Sequence, residues 1–180
     1  MGRWSGRTAA GFRQLGRIDM TPESPRPSRV YFFGTCLIDS FYPEAGLAAI
    51  RLIEREGVRV IFPRGQSCCG QPAFNSGYWD EARQLAQRYR DIFAGYDAVV
   101  SPSGSCTAMV RNFYPELGVE SPATYEFAEF LVKKLGVTDV GAKFPAKVTY
   151  HDACHALREL RAPASSNFST NWPASKCGRR

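Results

Sequence analysis

Among the 180 residues, the side chains whose types and spacing could do chemistry are six cysteines: Cys36, Cys68, Cys69, Cys106, Cys154 and Cys177. Two are neighbours, in the stretch GQSCCGQPAFNSG at residues 65–77, which has no helical or strand period. Disulfides are disfavoured in a reducing compartment, and a bond between consecutive cysteines is strained. An object that prefers thiolates is the better partner. Zinc accepts four thiolates, but its usual structural signature is a pair of short C-x-x-C knuckles, which is absent here. An iron–sulfur cluster takes about four cysteines from separate loops, and Cys36, Cys68, Cys69 and Cys106 supply that number. Buried apolar cysteines, common in protein cores, are the plain alternative.

Whether these thiols meet depends on the elements that carry them. The runs RVYFFG (29–34), VRVIF (58–62), DAVVS (97–101) and KVTYH (147–151) are short and nearly continuously apolar, as buried parallel strands are. Between them, residues 43–57 place Leu47, Ile50 and Ile53 at helical spacing, with Pro43 in the first turn and Gly57 as a cap. Residues 77–96 set Trp79, Ala82, Leu85, Ala86, Tyr89 and Phe93 on one helical face, and a third helix is expected over 124–136. The alternation predicts an open α/β fold: a mainly parallel, Rossmann-like sheet with crossover helices.

In such a sheet the loops after all strands share the carboxyl edge, where ligands bind. Cys36 follows the first expected strand, Cys68 and Cys69 the second, Cys106 the third and Cys154 the fourth. Gly65 and Gly70 permit backbone turns that let both vicinal sulfurs face one object. Cysteines at corresponding strand ends, flanked by Gly, Gln and Ser, weigh against the buried apolar reading. Ser103, Gly104 and Ser105 offer N–H groups at a helix start before Cys106, and Asn75 and Ser76 are expected to do likewise. His155 and His151 flank Cys154 and are expected to hydrogen-bond a sulfur or cap the next helix, with metal ligation the other role; Asp152 is an ordinary N-cap. Tyr31, Phe32, Phe33, Phe62 and Trp79 are expected in the core. No G-x-G-x-x-G follows the first strand, so a nicotinamide or flavin site has little support.

The net charge of +6 invites a nucleic-acid reading, but its distribution argues against one. Residues 1–29 and 156–180 each carry +4, leaving residues 30–155 at −2. A phosphate groove needs clustered cations on the folded face, so no nucleic-acid partner is expected. No apolar run is long enough to insert in a membrane and no secretory signal opens the chain, which places it in the cytoplasm. Residues 1–28 read as a disordered basic leader, 29–161 as the cysteine-rich domain, and 162–180 as an irregular tail.

The pattern of Cys36, 31 residues, Cys68-Cys69-Gly70, 35 residues and Cys106 resembles the cysteine-rich CCG domain of the heterodisulfide reductases and their relatives. The text from Cys36 to Ala86 is more similar still to the iron–sulfur subunits of lactate-utilisation and glycolate oxidase systems, and the likeness extends over residues 29–161. It implies a 4Fe-4S-type cluster and electron transfer in a complex that oxidises L-lactate or glycolate to the 2-oxo acid. Other subunits of that complex are then the partners, and the direct oxidation belongs to one of them. Carried over by position, Cys36, Cys68, Cys69 and Cys106 are the cluster ligands. Cys154, in YHDACHALREL, matches the opening cysteine of a second motif and is the less certain metal ligand.

Two departures qualify the resemblance. Met109 stands where the reductase family has the second cysteine of a C-x-x-C, which makes the ligand set four and not five. The second CCG is absent, and Cys177 matches the family neither in spacing nor in neighbours. The sequence from about Arg161 reads as that of a truncated or frame-shifted gene, or of a genuine short variant. A zinc-binding structural module, a thiol–disulfide enzyme using Cys68 and Cys69, and a nonfunctional remnant stand as alternatives.

Overall fold

The computed structural model describes residues 26–95, 98–143, 145–146 and 154–160. The expected strand at 147–151, with His151 and Asp152, lies outside them, as do Cys177, most of the leader and the tail. Four strands are described: β1 (Arg29–Phe32), β2 (Arg59–Ile61), β3 (Val99–Ser101) and β4 (Thr124–Glu126). All pair in parallel in the order β2-β1-β3-β4, with Tyr31 opposite both Ile61 and Val99. The chain leaves β1 towards β2 on one side and returns to β3 on the other. That reversal opens a crevice between the carboxyl ends of β1 and β3, where open α/β sheets bind ligands.

Strand alternation feeds two cores. Tyr31 and Val99, with Phe33 just beyond β1, face α4 (Trp79–Ile92) through Ala82, Ala86, Tyr89 and Phe93, and this core also holds Cys69, Cys106 and Tyr114. Val30, Phe32 and Val100 face the other side, against Ala49 and Ile53 of α2 (Pro43–Arg55) and against Phe130 and Leu131. Covering both faces of a parallel sheet is what makes its strands continuously apolar.

Three expectations on these elements change. Thr124–Glu126 is a strand, not the first turn of a helix: β-branched and aromatic side chains suit the sheet, and Val99 N–H donates to Ala123 O at 2.9 Å. The helix starts at α6 (Phe127–Glu129), capped by Glu126 Oε2, which accepts from the Ala128 and Glu129 N–H groups at 2.8 and 3.1 Å. In α2 the buried face is Gly46, Ala49 and Ile53, while Leu47 is exposed. A Cβ at Gly46 would lie 3.0 Å from Ile38 Cγ2 of α1 (Cys36–Phe41), so a larger residue there would have to push that side chain aside. Trp79 and Phe62 are exposed at 61% and 49% rather than core. Trp79 precedes the buried face of α4, and Phe62 lies past the end of β2 with its ring edge over Gly34.

Helix α5 (Gly104–Ala108) widens into a π turn at Met109–Phe113, and α6 into another at Phe130–Lys134. The two segments are joined by a buried carboxylate. Glu129 meets Arg111 at 2.8 Å and Lys133 at 3.0 Å, with its own side chain only 2% exposed.

Candidate metal centre

Each thiol is fixed by a different local device. Cys36 opens α1 behind Thr35, a buried residue with φ 59° and ψ 148°, a region that β-branched side chains avoid. Such a backbone costs on the order of 1–3 kcal/mol. The N-cap offsets part of that: Thr35 Oγ1 accepts from Ile38 N–H at 3.4 Å and Thr35 O from Asp39 N–H at 3.0 Å. Cys68 and Cys69 lie in the loop after β2. Gly70 ends that turn at φ 85°, packed so closely on α4 that a Cβ would stand 3.3 Å from Leu85 Cβ and 3.4 Å from Ala82 O. Beyond it, α3 (Gln71–Asn75) begins. Cys106 is the third residue of α5, where Ser103 Oγ accepts its N–H at 3.4 Å.

The loops are tied to one another by side chains. Gln66 Nε2 donates to Phe32 O at 2.9 Å and Pro63 O at 3.0 Å, while Gln66 Oε1 accepts from Gly34 N–H at 3.0 Å. It thereby locks the exit of β1 to the loop after β2. The buried Tyr114 hydroxyl donates to Cys69 O at 2.9 Å, fixing the vicinal pair to the segment that follows Cys106.

The four sulfurs come together as this bracing requires. Cys36 Sγ and Cys68 Sγ are 3.7 Å apart, and the Cys69 thiol hydrogen-bonds both Cys68 and Cys106. Cys36 is exposed, Cys68 half-buried, and Cys69 and Cys106 buried. Cys106 also acts electrostatically on Cys36 and on Cys68. Among the described residues no three His, Cys, Asp or Glu side chains are grouped to hold a single metal ion.

The shifts alternate from one thiol to the next in sequence. Cys68 is lowered to about 5 by the Cys69 thiol first, aided by the Gly70 N–H and the Cys36 thiol, against the opposing effect of burial. Cys106 is lowered to about 7, again by Cys69 first and also by the Ser103 and Ser105 hydroxyls. Cys69 is pushed up because its one proton serves these two neighbours, and Cys36 is raised by burial and by its bond to Cys68. At neutral pH Cys68 is a thiolate, Cys106 titrates nearby, and Cys36 and Cys69 are donors.

Residues 30–111 match the family described as CCG, a cysteine-rich domain. By this match the chain contains a CCG cysteine-rich segment. It is 45% identical over 149 residues to the Lactate utilization protein A of an Exiguobacterium species, an alignment covering 76% of this chain and 60% of that protein. The Bacillus subtilis protein of the same name is 46% identical over 143 residues (73% and 60%), and that of Shouchella clausii 45% over 150 (76% and 62%). The chain thus spans about 60% of the length of the curated relatives it matches. No solved structure gives a significant match.

The matched CCG segment contains Cys36, Cys68, Cys69 and Cys106 and stops short of Cys154. Cys154 is exposed at the start of α7 (Cys154–Arg158), and the leading interactions at the four clustered thiols do not include it. Helix α7 nonetheless packs on the CCG core. A Cβ on Gly104 would stand 3.1 Å from Ala156 Cβ, and Asn112 Nδ2 donates to Glu159 O at 3.0 Å. Among the described residues no hydrogen bond joins the His155 ring to a sulfur; its Nε2 lies 3.2 Å from Nε2 of Gln71, the first residue of α3, which also donates to Ser105 O at 3.4 Å. Ser103 caps α5 as its position suggests, whereas Ser76 N–H is taken by the carbonyls of Pro72 and Ala73 and Asn75 is exposed.

The residues that composition and period do not single out are Gln66, Tyr114, Thr35 and Gln71. Only Thr35 carries a local signal, a threonine directly before a short helix. Gln66→Leu in the CCG domain is expected to strand Phe32 O, Gly34 N–H and Pro63 O. Urea denaturation should read a loss of about 2 kcal/mol. Cys68 in the metal-free domain is expected to be alkylated by iodoacetamide with its midpoint near pH 5, where an ordinary thiol is unreactive. Peptide mapping after labelling at pH 6 should find the label at Cys68 before Cys36.

Proposed function

We propose that Cys36, Cys68, Cys69 and Cys106 hold an iron–sulfur cluster of the 4Fe-4S type, and that the domain passes electrons within a system oxidising L-lactate, or its homologue glycolate, to the 2-oxo acid. The observation that carries this reading is the meeting of four thiols from three strand-end loops at the switch point of the sheet. Their chemistry fits the group: thiolates are its protein ligands, and neighbouring hydrogen bonds set its potential. The substrate assignment draws on relatives named Lactate utilization protein A.

When bound, the cluster supplies one-electron acceptance and donation. The chain's own residues prepare for it. Cys68 and Cys106 are predisposed as thiolates, and Cys36 and Cys69 must release their protons, so loading is coupled to proton release. The Ser103 and Ser105 hydroxyls hydrogen-bond Cys106, and Tyr114 holds the Cys69 backbone. Cys36, the exposed member, faces the solvent side from which a partner protein would approach. A reducing cytoplasm keeps all four thiols free. Among the described residues no helix is long and apolar enough to cross a membrane.

The test is anaerobic purification with metal analysis and visible spectroscopy. A brown chain with acid-labile sulfide, bleached by dithionite and restored on reoxidation, is the expected result. A colourless chain with stoichiometric zinc overturns the reading.

A further inference from the structure

The Cys36–Cys68 pair is arranged for a reaction that needs no metal. Their sulfurs lie 3.7 Å apart although 32 positions separate them in sequence. A disulfide has an S–S length of about 2.05 Å, so each sulfur has only a short distance to move. Cys36 is exposed and Cys68 half-buried beside it, whereas Cys69 and Cys106 are 2% and 7% exposed and shielded from an oxidant in solution. The vicinal pair is poorly placed for bonding: consecutive Cα atoms are about 3.8 Å apart, below the roughly 4.4 Å lower limit of ordinary disulfides. The Gln66 brace already joins the two loops that such a bond would cross-link, so closing it distorts little.

We propose that Cys36 and Cys68 form a reversible intramolecular disulfide in the metal-free chain when it meets a peroxide. The peroxide oxidises the half-buried Cys68 sulfur to a sulfenic acid, its other oxygen leaving as hydroxide. The exposed Cys36 sulfur, 3.7 Å away, then attacks the sulfenic sulfur and displaces water. In sum, two thiols and one peroxide become one disulfide and two waters. A dithiol reductant reopens the bond by thiol–disulfide exchange and is itself oxidised. The pair is therefore a redox modification site. Its consequence, that the closed form cannot be loaded, rests on the cluster reading, because two of the four proposed ligands are then consumed.

Metal-free chain is treated anaerobically with one equivalent of hydrogen peroxide, alkylated, digested and mapped by mass spectrometry, with circular dichroism to follow the fold. The expected product is a cross-linked Cys36–Cys68 peptide, lost on dithiothreitol treatment, absent from Cys36→Ser and retained in Cys154→Ser. A dominant Cys69–Cys106 or Cys68–Cys69 product, or no disulfide in folded chain, overturns the proposal. Iron and sulfide are then offered to the oxidised and the re-reduced samples. Loading of the re-reduced sample alone supports the blocking role, and equal loading of both overturns it. Failure of the re-reduced sample to load overturns the cluster reading while the mapped disulfide stands.

Discussion

Cys69→Ala is expected to lower iron and acid-labile sulfide in the anaerobically loaded chain by at least about tenfold, whereas Cys154→Ala leaves both near wild type. Loss of a residue that merely supports a ligand costs about 10–100-fold in metal affinity, so loss of the central ligand should cost no less. Cys69 is central in that sense. It is buried, its thiol joins Cys68 to Cys106, and its carbonyl is held by Tyr114. Cys154 is exposed on α7, outside the matched CCG segment. Thermal melting of the metal-free variants separates ligand loss from unfolding, since deleting one sulfur from a core costs little beside deleting a ligand. Equal loss in both variants would place α7 in the ligand set.

Arg111→Met is expected to destabilise the metal-free chain by about 3 kcal/mol, because it leaves a buried carboxylate with a single cation. Glu129 is 2% exposed and takes its two charge partners from different places, Lys133 from the next turn of its own helix and Arg111 from the π turn after Cys106. Removing Glu129 as well, in Arg111→Met with Glu129→Leu, is expected to recover most of the loss: Lys133 still reaches solvent, and an apolar pair of similar volume incurs no desolvation penalty. Urea unfolding of the two variants measures both effects. A change below about 1 kcal/mol for Arg111→Met would show that water reaches Glu129 more freely than its burial indicates. The effect also reaches the metal centre, because Arg111 and Tyr114 lie on the same segment and Tyr114 positions Cys69.

The architecture is legible where one period dominates. RVYF, VVS and the Ala82–Ala86–Tyr89–Phe93 face read correctly because a buried parallel strand and an amphipathic helix leave opposite patterns. The TYE of β4 reads as part of a helix because three residues carry no period of their own, and its pairing with β3 depends on a partner 25 positions away. Hydrophobicity alone points Trp79 and Phe62 to the core, yet each sits one step beyond the face its element buries. At the site, Cys36, Cys68, Cys69 and Cys106 announce themselves by residue type and by their common place after strands. Gln66 and Tyr114 do not, since their roles consist of hydrogen bonds to backbone groups as far as 34 and 45 positions away. No local spacing encodes such contacts.

Iron K-edge X-ray absorption on the anaerobically loaded chain, compared with Cys69→Ala, tests the central claim most directly. The account predicts a sulfur shell around iron with a second shell of iron neighbours, both lost in the variant. Iron bound through nitrogen or oxygen without iron neighbours, or a sulfur shell unchanged by removal of Cys69, would contradict it.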